Sequence, residues 1–421
     1  MPRHDPGTWI FCLPDMNCLT LLFRERALCA LIALTATCLA GCGGGSTADL
    51  AAELGRVQPL AQPVDGDRVA VGDRLFNEVA LSAGERQSCA TCHVKARGHA
   101  DAEGGFLPLG GPGLDRQGLR SSPSLHYMNR NTAFQLGAGT GPSGGFTWDG
   151  RADTRAAQAL GPLLAANEMA QPDAAAVVRA VRALPYYSEL AFAYSLPADA
   201  SDAEVLQATQ QALEAYQAGD GDYQPYTSKF DAVQRGQTRF TAQEERGLAL
   251  FNDPQRGNCA SCHSSTPPPG ETLPVFTNFG YFALGVPRNT SAATADPAFF
   301  DLGLCGPVRT DLSHRTDLCG LFKVPTLRNV ALTAPYFHNG AIATLEEAVA
   351  FYATRDSDPA RWYPTVGGVV QRFNDLPAAY HGNVNRQPPF GLPPPGGPRL
   401  SPQDVQDIVS FLGTLTDGYV P

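Results

Sequence analysis

The chain has no excess of basic residues. Its 31 Lys and Arg face 41 Asp and Glu, a formal charge of -10, so it lacks the cationic footprint of a nucleic-acid binder. Charged residues are sparse at 17%, against 43% hydrophobic, which excludes a disordered chain and a coiled coil. Long apolar runs are missing after residue 40, so no later segment has the length of a membrane span. Methionine is scarce: only Met1, Met16, Met128 and Met169 exist. Any function that needs a thioether from the second half of the chain is therefore closed to it. What is plentiful is glycine (43) and proline (35) in 421 residues. That length suggests two or three domains, and that punctuation makes them rich in loops.

The one apolar run, Ala27–Ala40, follows Arg24 and Arg26 and ends Leu39-Ala40-Gly41-Cys42. Its length suits the apolar region of a signal peptide. It looks like a bacterial lipoprotein signal over residues 1–41, with Cys42 as the acylated residue, 42–65 as a flexible tether and Met16 as the start. Ordinary secretion and an uncleaved anchor are the other readings. All three place the body outside the cytoplasm, with periplasmic residence expected and membrane contact only through a lipid anchor. Disulfides are permitted there. Cys305 and Cys319 close a loop containing Gly306 and Pro307, and a bridge between them would contribute about 3 kcal/mol on a chain-entropy account.

Two motifs carry chemistry. Cys89-Ala90-Thr91-Cys92-His93 and Cys259-Ala260-Ser261-Cys262-His263 both have the spacing of c-type haem attachment. Two thiols add to the two vinyl groups of one haem, and the adjacent histidine reaches its iron. A redox dithiol needs no histidine after the second cysteine, and a zinc site would require the two motifs to meet. Two covalently bound haem c groups are therefore expected, on Cys89, Cys92 and His93 and on Cys259, Cys262 and His263. The surroundings repeat as well. Leu75-Phe76-Asn77 is echoed by Leu250-Phe251-Asn252, Ser122-Pro123-Ser124-Leu125 by Val324-Pro325-Thr326-Leu327, and Trp148-Asp149-Gly150 by His338-Asn339-Gly340. The shared order argues for two related units.

The expected fold is all-α, two cytochrome c-type haem domains with long loops. Helices are expected over Asp67–Leu81, Thr154–Leu164, Asp173–Leu184, Asp202–Ala218, within Phe230–Leu250, over Leu345–Tyr352 and near Asp404–Leu415. Residues 94–147 read as a long loop wrapped over the first haem, and 264–325 as loop-rich again. The segment from Gly219 to Pro225 is the expected linker, giving an N-terminal domain over 66–224 and a C-terminal domain over 225–421.

The paired motifs resemble the bacterial di-haem cytochrome c peroxidase family, which includes the MauG branch. The resemblance spans residues 66 to 416. It also rests on Trp148-Asp149-Gly150-Arg151-Ala152, Gly161-Pro162, Asn167-Glu168-Met169, Lys323-Val324-Pro325-Thr326-Leu327-Arg328-Asn329 and Pro335-Tyr336-Phe337-His338-Asn339-Gly340. It implies that the N-terminal haem is peroxidatic and the C-terminal haem passes electrons. It places the distal acid at Glu168, pocket residues at Gln158 and Pro162, the tryptophan between the haems at Trp148 and the interface histidine at His338.

The same likeness puts the sixth ligand of the second haem fourteen residues past His338, at Tyr352; tyrosine stands there in the MauG branch, methionine in ordinary peroxidases. It implies a calcium ion on the backbone carbonyls of Thr333 and Pro335, although Tyr127 stands where the family has asparagine. The family's removable distal histidine falls at Leu109, so the first haem is expected to be open, with His126 a surface loop histidine. Arg151 and Arg328 are expected to meet haem propionates or solvent. The implied reaction is reduction of hydrogen peroxide, with electrons from a small cytochrome c or copper protein. A MauG-like oxidase acting on a partner protein and a plain electron carrier are the alternatives.

Overall fold

The computed structural model describes residues 66–101, 107–137, 139, 141–291, 298–391, 394 and 398–421. The expected signal segment, Cys42 and tether lie outside them. Ten helices in the described residues hold the frame. In the first half they are α1 (Gly66–Phe76), α2 (Cys89–Cys92), α3 (Arg155–Leu164), α4 (Ala174–Ala183), α5 (Tyr187–Ala193) and α6 (Asp202–Gly219). The second half holds α7 (Lys229–Gln234), α8 (Ala242–Asn252), α9 (Leu345–Thr354) and α10 (Pro402–Gly413). Among the described residues strands occur only as four antiparallel pairs of two or three residues each, so the fold is all-α with loops, as expected.

Caps explain most boundaries. Thr154, Asp173, Ser201, Thr241, Thr344 and Ser401 each accept from a backbone N–H in the first turn of the helix they precede, which satisfies a donor that has no partner inside the helix. The helix expected within Phe230–Leu250 is two: α7 stops at Arg235-Gly236, where Gly236 has a φ of 72°. Helix α5 was not anticipated, because the Pro185 before it reads as a stop. The 94–147 stretch carries two strand pairs, Leu109–Gly110 with Arg116–Gln117 and Gln135–Gly137 with Gly141–Ser143. The segment expected as a linker is packed rather than free, with Tyr223 fully buried.

The apolar core falls into two main clusters. One gathers residues from Val71 to Tyr223, the other from Phe230 to Leu415. Each is built on a helix crossing at a glycine three residues before the Leu-Phe-Asn echo. A Cβ on Gly72 of α1 would lie 2.0 Å from the Ala212 carbonyl oxygen of α6. A Cβ on Gly247 of α8 would lie 2.0 Å from that of Asp407 on α10. Only glycine permits so close a backbone approach. A smaller cluster joins Leu312 and Leu318, inside the loop that the Cys305–Cys319 disulfide closes, to Leu304 and Tyr281 outside it.

Candidate functional site

Each Cys-x-x-Cys-His motif borders its own large, mainly apolar cavity. Cys89, Cys92 and His93 line one, and Cys259, Cys262 and His263 line the other. In both, the histidine is held by the same device. His93 Nδ1–H donates to the carbonyl of His99 at 2.9 Å, and His263 Nδ1–H donates to that of Phe276 at 3.1 Å. The accepting residues are both left-handed, with φ of 50° and 53°. Holding Nδ1 fixes the tautomer and leaves Nε2 as the free ligand atom. Burial lowers the basicity of both imidazoles, His263 to about 4, so both stand ready as neutral ligands.

Burial pushes the thiols of Cys89, Cys92 and Cys259 up to about 12 and raises that of Cys262. These are not the exposed thiolates of a redox dithiol. Among the described residues no group of three or more His, Cys, Asp and Glu could hold a bare metal ion. Paired thiols, an oriented imidazole and an apolar cavity together fit haem c in both places.

Between the cavities stands a wall common to both. Trp148 lines each of them, as do Lys323 and Pro325. The Trp148 indole N–H donates to the Ser121 carbonyl at 2.8 Å. Its turn is built twice. Phe146 pairs with Ala152 around Trp148, as Tyr336 pairs with Ile342 around His338. Thr147 and Phe337 have φ of 74° and 68°, and Gly150 and Gly340 of 63° and 62°. The weak sequence echo is thus a shared backbone geometry that presents tryptophan in one half and histidine in the other. His338 stacks on Phe322 at 3.5 Å, and its Nε2 is buried without a hydrogen-bond partner.

Helix α3 and the turn after it bring Gln158, Pro162 and Glu168 to the first cavity. Gln158 and Pro162 are four residues apart and share a helix face. The Glu168 backbone is pinned: its carbonyl accepts from Gly111 N–H at 2.7 Å and from the Gln87 amide. Burial raises its carboxyl above the usual range, opposed by the charges of Arg151 and Arg120. In the second cavity Tyr352, Thr333 and Pro335 join Cys259, Cys262 and His263. Burial raises the Tyr352 phenol too, with the nearby cysteines adding to the shift.

Two expectations are corrected here. His126 is buried, at 6% exposure, inside a polar chain. Asn329 Nδ2–H donates both to His126 Nδ1 at 3.0 Å and to Asp417 at 2.7 Å, so His126 Nε2 carries the proton it gives to His99 Nδ1 at 2.9 Å. Arg328 faces neither a cavity nor solvent. It makes a two-pronged pair with Asp231, at 2.8 and 2.9 Å, and both side chains are fully buried.

Sequence reasoning also missed an ion network beside Trp148. Arg120 bonds Asp149 at 2.8 Å and Asp301 at 2.6 and 2.8 Å, joining the two halves. Arg309 donates to the Asp149 carbonyl at 2.9 Å. Asp149 lies inside a quoted motif, but nothing in its spacing points to residues 29 and 160 positions away. Lys323 is buried with its ammonium on the Gly145 carbonyl at 2.6 Å, and burial lowers it to about 7.

The family described as di-haem cytochrome c peroxidase matches residues 66–239. The chain is 39% identical over 368 residues to the methylamine utilization protein MauG of Paracoccus denitrificans, covering 85% of this chain and 90% of that one. It is 27% identical over 356 residues to cytochrome c551 peroxidase of Pseudomonas aeruginosa, covering 84% and 80%. The fold matches the crystal structure of the diheme peroxidase BthA from Burkholderia thailandensis with a TM-score of 0.76, at 37% identity over 84% of this chain and 87% of that one.

Proposed function

The chain belongs to the di-haem cytochrome c peroxidase family, a haem c-dependent oxidoreductase, and on that premise we propose that it reduces hydrogen peroxide in the Cys89–His93 cavity with Glu168 as proton carrier. The observation that carries this reading is the position of Glu168: a carboxyl on a pinned backbone, raised by burial, on the cavity that His93 serves. When bound, the two haems supply the iron at which peroxide is held and the electrons that reduce it.

The chain's own residues do the rest. A carboxylate on this cavity can take a proton from the near oxygen of peroxide and return it to the far oxygen, and the stronger hold on a proton that burial gives Glu168 suits the exchange. Each turnover takes two electrons and two protons and yields two waters. The Gln158 amide would offer a hydrogen bond to a peroxide oxygen in this cavity, and Pro162 shapes the same wall without an N–H of its own. Trp148, bordering both cavities, is the aromatic step between them. His93 and His263 are the proximal ligands. Electrons come from a small donor protein, a cytochrome c or copper protein. Two haem domains, 66–224 and 225–421, are supported by the two core clusters.

A second reading is favoured by Tyr352. It lines the cavity of Cys259, Cys262 and His263, and no methionine follows residue 169. A tyrosine ligand stabilises ferric iron, which suits a MauG-like oxidase that withdraws electrons from a partner protein. Calcium has a poorer footing. It needs six to eight oxygens, yet the Tyr127 phenol is committed to Asp417, leaving only the carbonyls of Thr333 and Pro335. That set does not fit, and no step rests on it. Export with a lipid anchor at Cys42 remains part of the proposal; among the described residues no helix is long and apolar enough to cross a membrane.

The test is one equivalent of hydrogen peroxide added to the diferric protein, with optical spectra followed in time, for wild type and Glu168→Gln. Wild type should consume peroxide, and the variant should load both haems yet do so at least a hundredfold more slowly. Equal rates would remove Glu168 from its role. A long-lived two-electron-oxidised wild type, formed without prior reduction, would select the MauG-like reading over the peroxidase.

A further inference from the structure

Around the residue that holds His93, the structure gathers aromatic side chains that the peroxide chemistry leaves unused. Tyr223 stacks on the His99 ring at 4.3 Å, and His99 is the residue whose carbonyl holds His93. The His126 ring lies 5.7 Å from Tyr223 and 6.0 Å from Tyr127. Tyr127 in turn meets Tyr226 at 4.8 Å, and Tyr226 is only partly buried. A continuous run of ring contacts therefore leads from the proximal side of the first cavity toward solvent.

Tyr127 differs from Tyr223 in what its hydroxyl meets. It is fully buried with a φ of 58°, a backbone conformation a bulky residue seldom adopts. Its hydroxyl donates to both carboxylate oxygens of Asp417, at 2.8 and 2.7 Å. No carboxylate accepts from the Tyr223 hydroxyl. Asp417 is itself fixed by the Asn329 amide at 2.7 Å and by Thr227 N–H at 3.0 Å. The Arg328 guanidinium sits 4.8 Å from the Tyr127 ring centre. A cation there opposes positive charge on the ring, so this phenol can give up an electron only if its proton leaves at the same time. Asp417 is the base placed to receive it.

We propose that Tyr127 is a redox-active tyrosine that supplies one electron to the first half of the molecule, with Asp417 taking its proton. The inference rests on the peroxide reading above, which provides the oxidant. The Tyr127 O–H bond breaks. Its proton goes to an Asp417 oxygen, giving a carboxylic acid. Its electron passes through the His126, Tyr223 and His99 contacts to the oxidising equivalent that peroxide leaves at the first haem. The ring is left as a neutral phenoxyl. A one-electron donor outside the protein restores it, and Asp417 returns the proton. Peroxide needs two electrons, so Tyr127 covers one of them when a donor is slow to arrive.

The experiment is freeze-quench electron paramagnetic resonance of the haem-loaded full chain after one equivalent of hydrogen peroxide, with haem oxidation recorded optically in the same samples. An organic radical near g = 2 is expected, and its hyperfine pattern should narrow in protein grown with ring-deuterated tyrosine. Tyr127→Phe should reduce the signal at least tenfold. Asp417→Asn, which keeps the ring and removes the base, should reduce it at least fivefold and carries the test should Tyr127→Phe not fold. Tyr186→Phe is the control, because Tyr186 also donates to a carboxylate, Glu78 at 3.0 Å, but makes no ring contact with this group. A radical undiminished in both Tyr127→Phe and Asp417→Asn, or no radical at all while haem oxidation proceeds, overturns the inference. Absent haem oxidation would instead overturn the peroxide reading.

Discussion

The Arg328–Asp231 pair is the place where a single atom change should cost most. Both side chains have no exposure, and two hydrogen bonds of 2.8 and 2.9 Å join them. Asp231 also accepts from Ser228 N–H at 3.0 Å and Oγ–H at 2.7 Å, while Arg328 Nε–H donates to the Pro274 carbonyl at 2.9 Å. The pair thus ties the start of α7 to the strand of chain that carries Phe276, whose carbonyl holds His263. Asp231→Asn keeps the shape but leaves a guanidinium buried without its counter-charge and turns an amide N–H toward it. Breaking a buried pair in this way costs about 3–5 kcal/mol. Replacing both partners together, Asp231→Leu with Arg328→Met, leaves no orphan charge and should cost far less than the two single changes summed. The assay is urea unfolding of the haem-loaded variants followed by haem absorbance. A loss below about 1 kcal/mol for Asp231→Asn, or a double variant equal to the sum of its singles, would show that the pair is not the buried tie its geometry implies.

Three further outcomes follow from the same geometry. Trp148→Phe should slow electron transfer between the haems at least tenfold in flash photolysis while peroxide still binds; an unchanged rate would remove the tryptophan from the route. Gly247→Ala forces a methyl against the Asp407 carbonyl at 2.0 Å, which should cost about 1–3 kcal/mol despite alanine's better helix propensity, and an unshifted melting temperature would contradict the crossing. Asp101 is pushed up to about 7 by burial, against a lowering pull from Ser122 and Arg97. Its folded form holds a proton that the unfolded form releases near pH 4, so stability should fall as pH rises from about 4 to 7 and stay penalised above. Asp101→Asn should flatten that slope and raise stability at pH 8; an identical pH profile for the two proteins would refute the assignment.

Local signals in the sequence were read well and distant ones poorly. The Cys-x-x-Cys-His motifs and the capped helices such as Ser201 with Asp202–Gly219 follow from residues a few positions apart, and the Cys305–Cys319 pair from two cysteines 14 apart. The family likeness brought Gln158, Pro162 and Glu168 to one cavity and Tyr352 to the other. What stayed hidden depends on long-range partners. His126 and Arg328 carry the composition of surface residues, and only the fold sets Asn329 beside the one and Asp231 beside the other. The glycines at 72 and 247 went unnoticed although they repeat in register with Leu-Phe-Asn, because close approach of two backbones leaves no mark except a missing side chain.

The proximal wall of the first cavity has an implication for how the molecule is assembled. His126 and Tyr127 are completed by Asn329 and Asp417, 203 and 290 residues downstream. The first motif emerges from synthesis before those partners do. The wall behind it closes only once the second half has folded. The first unit owns a separate apolar cluster, yet expressed by itself it would hold its haem in an unfinished pocket.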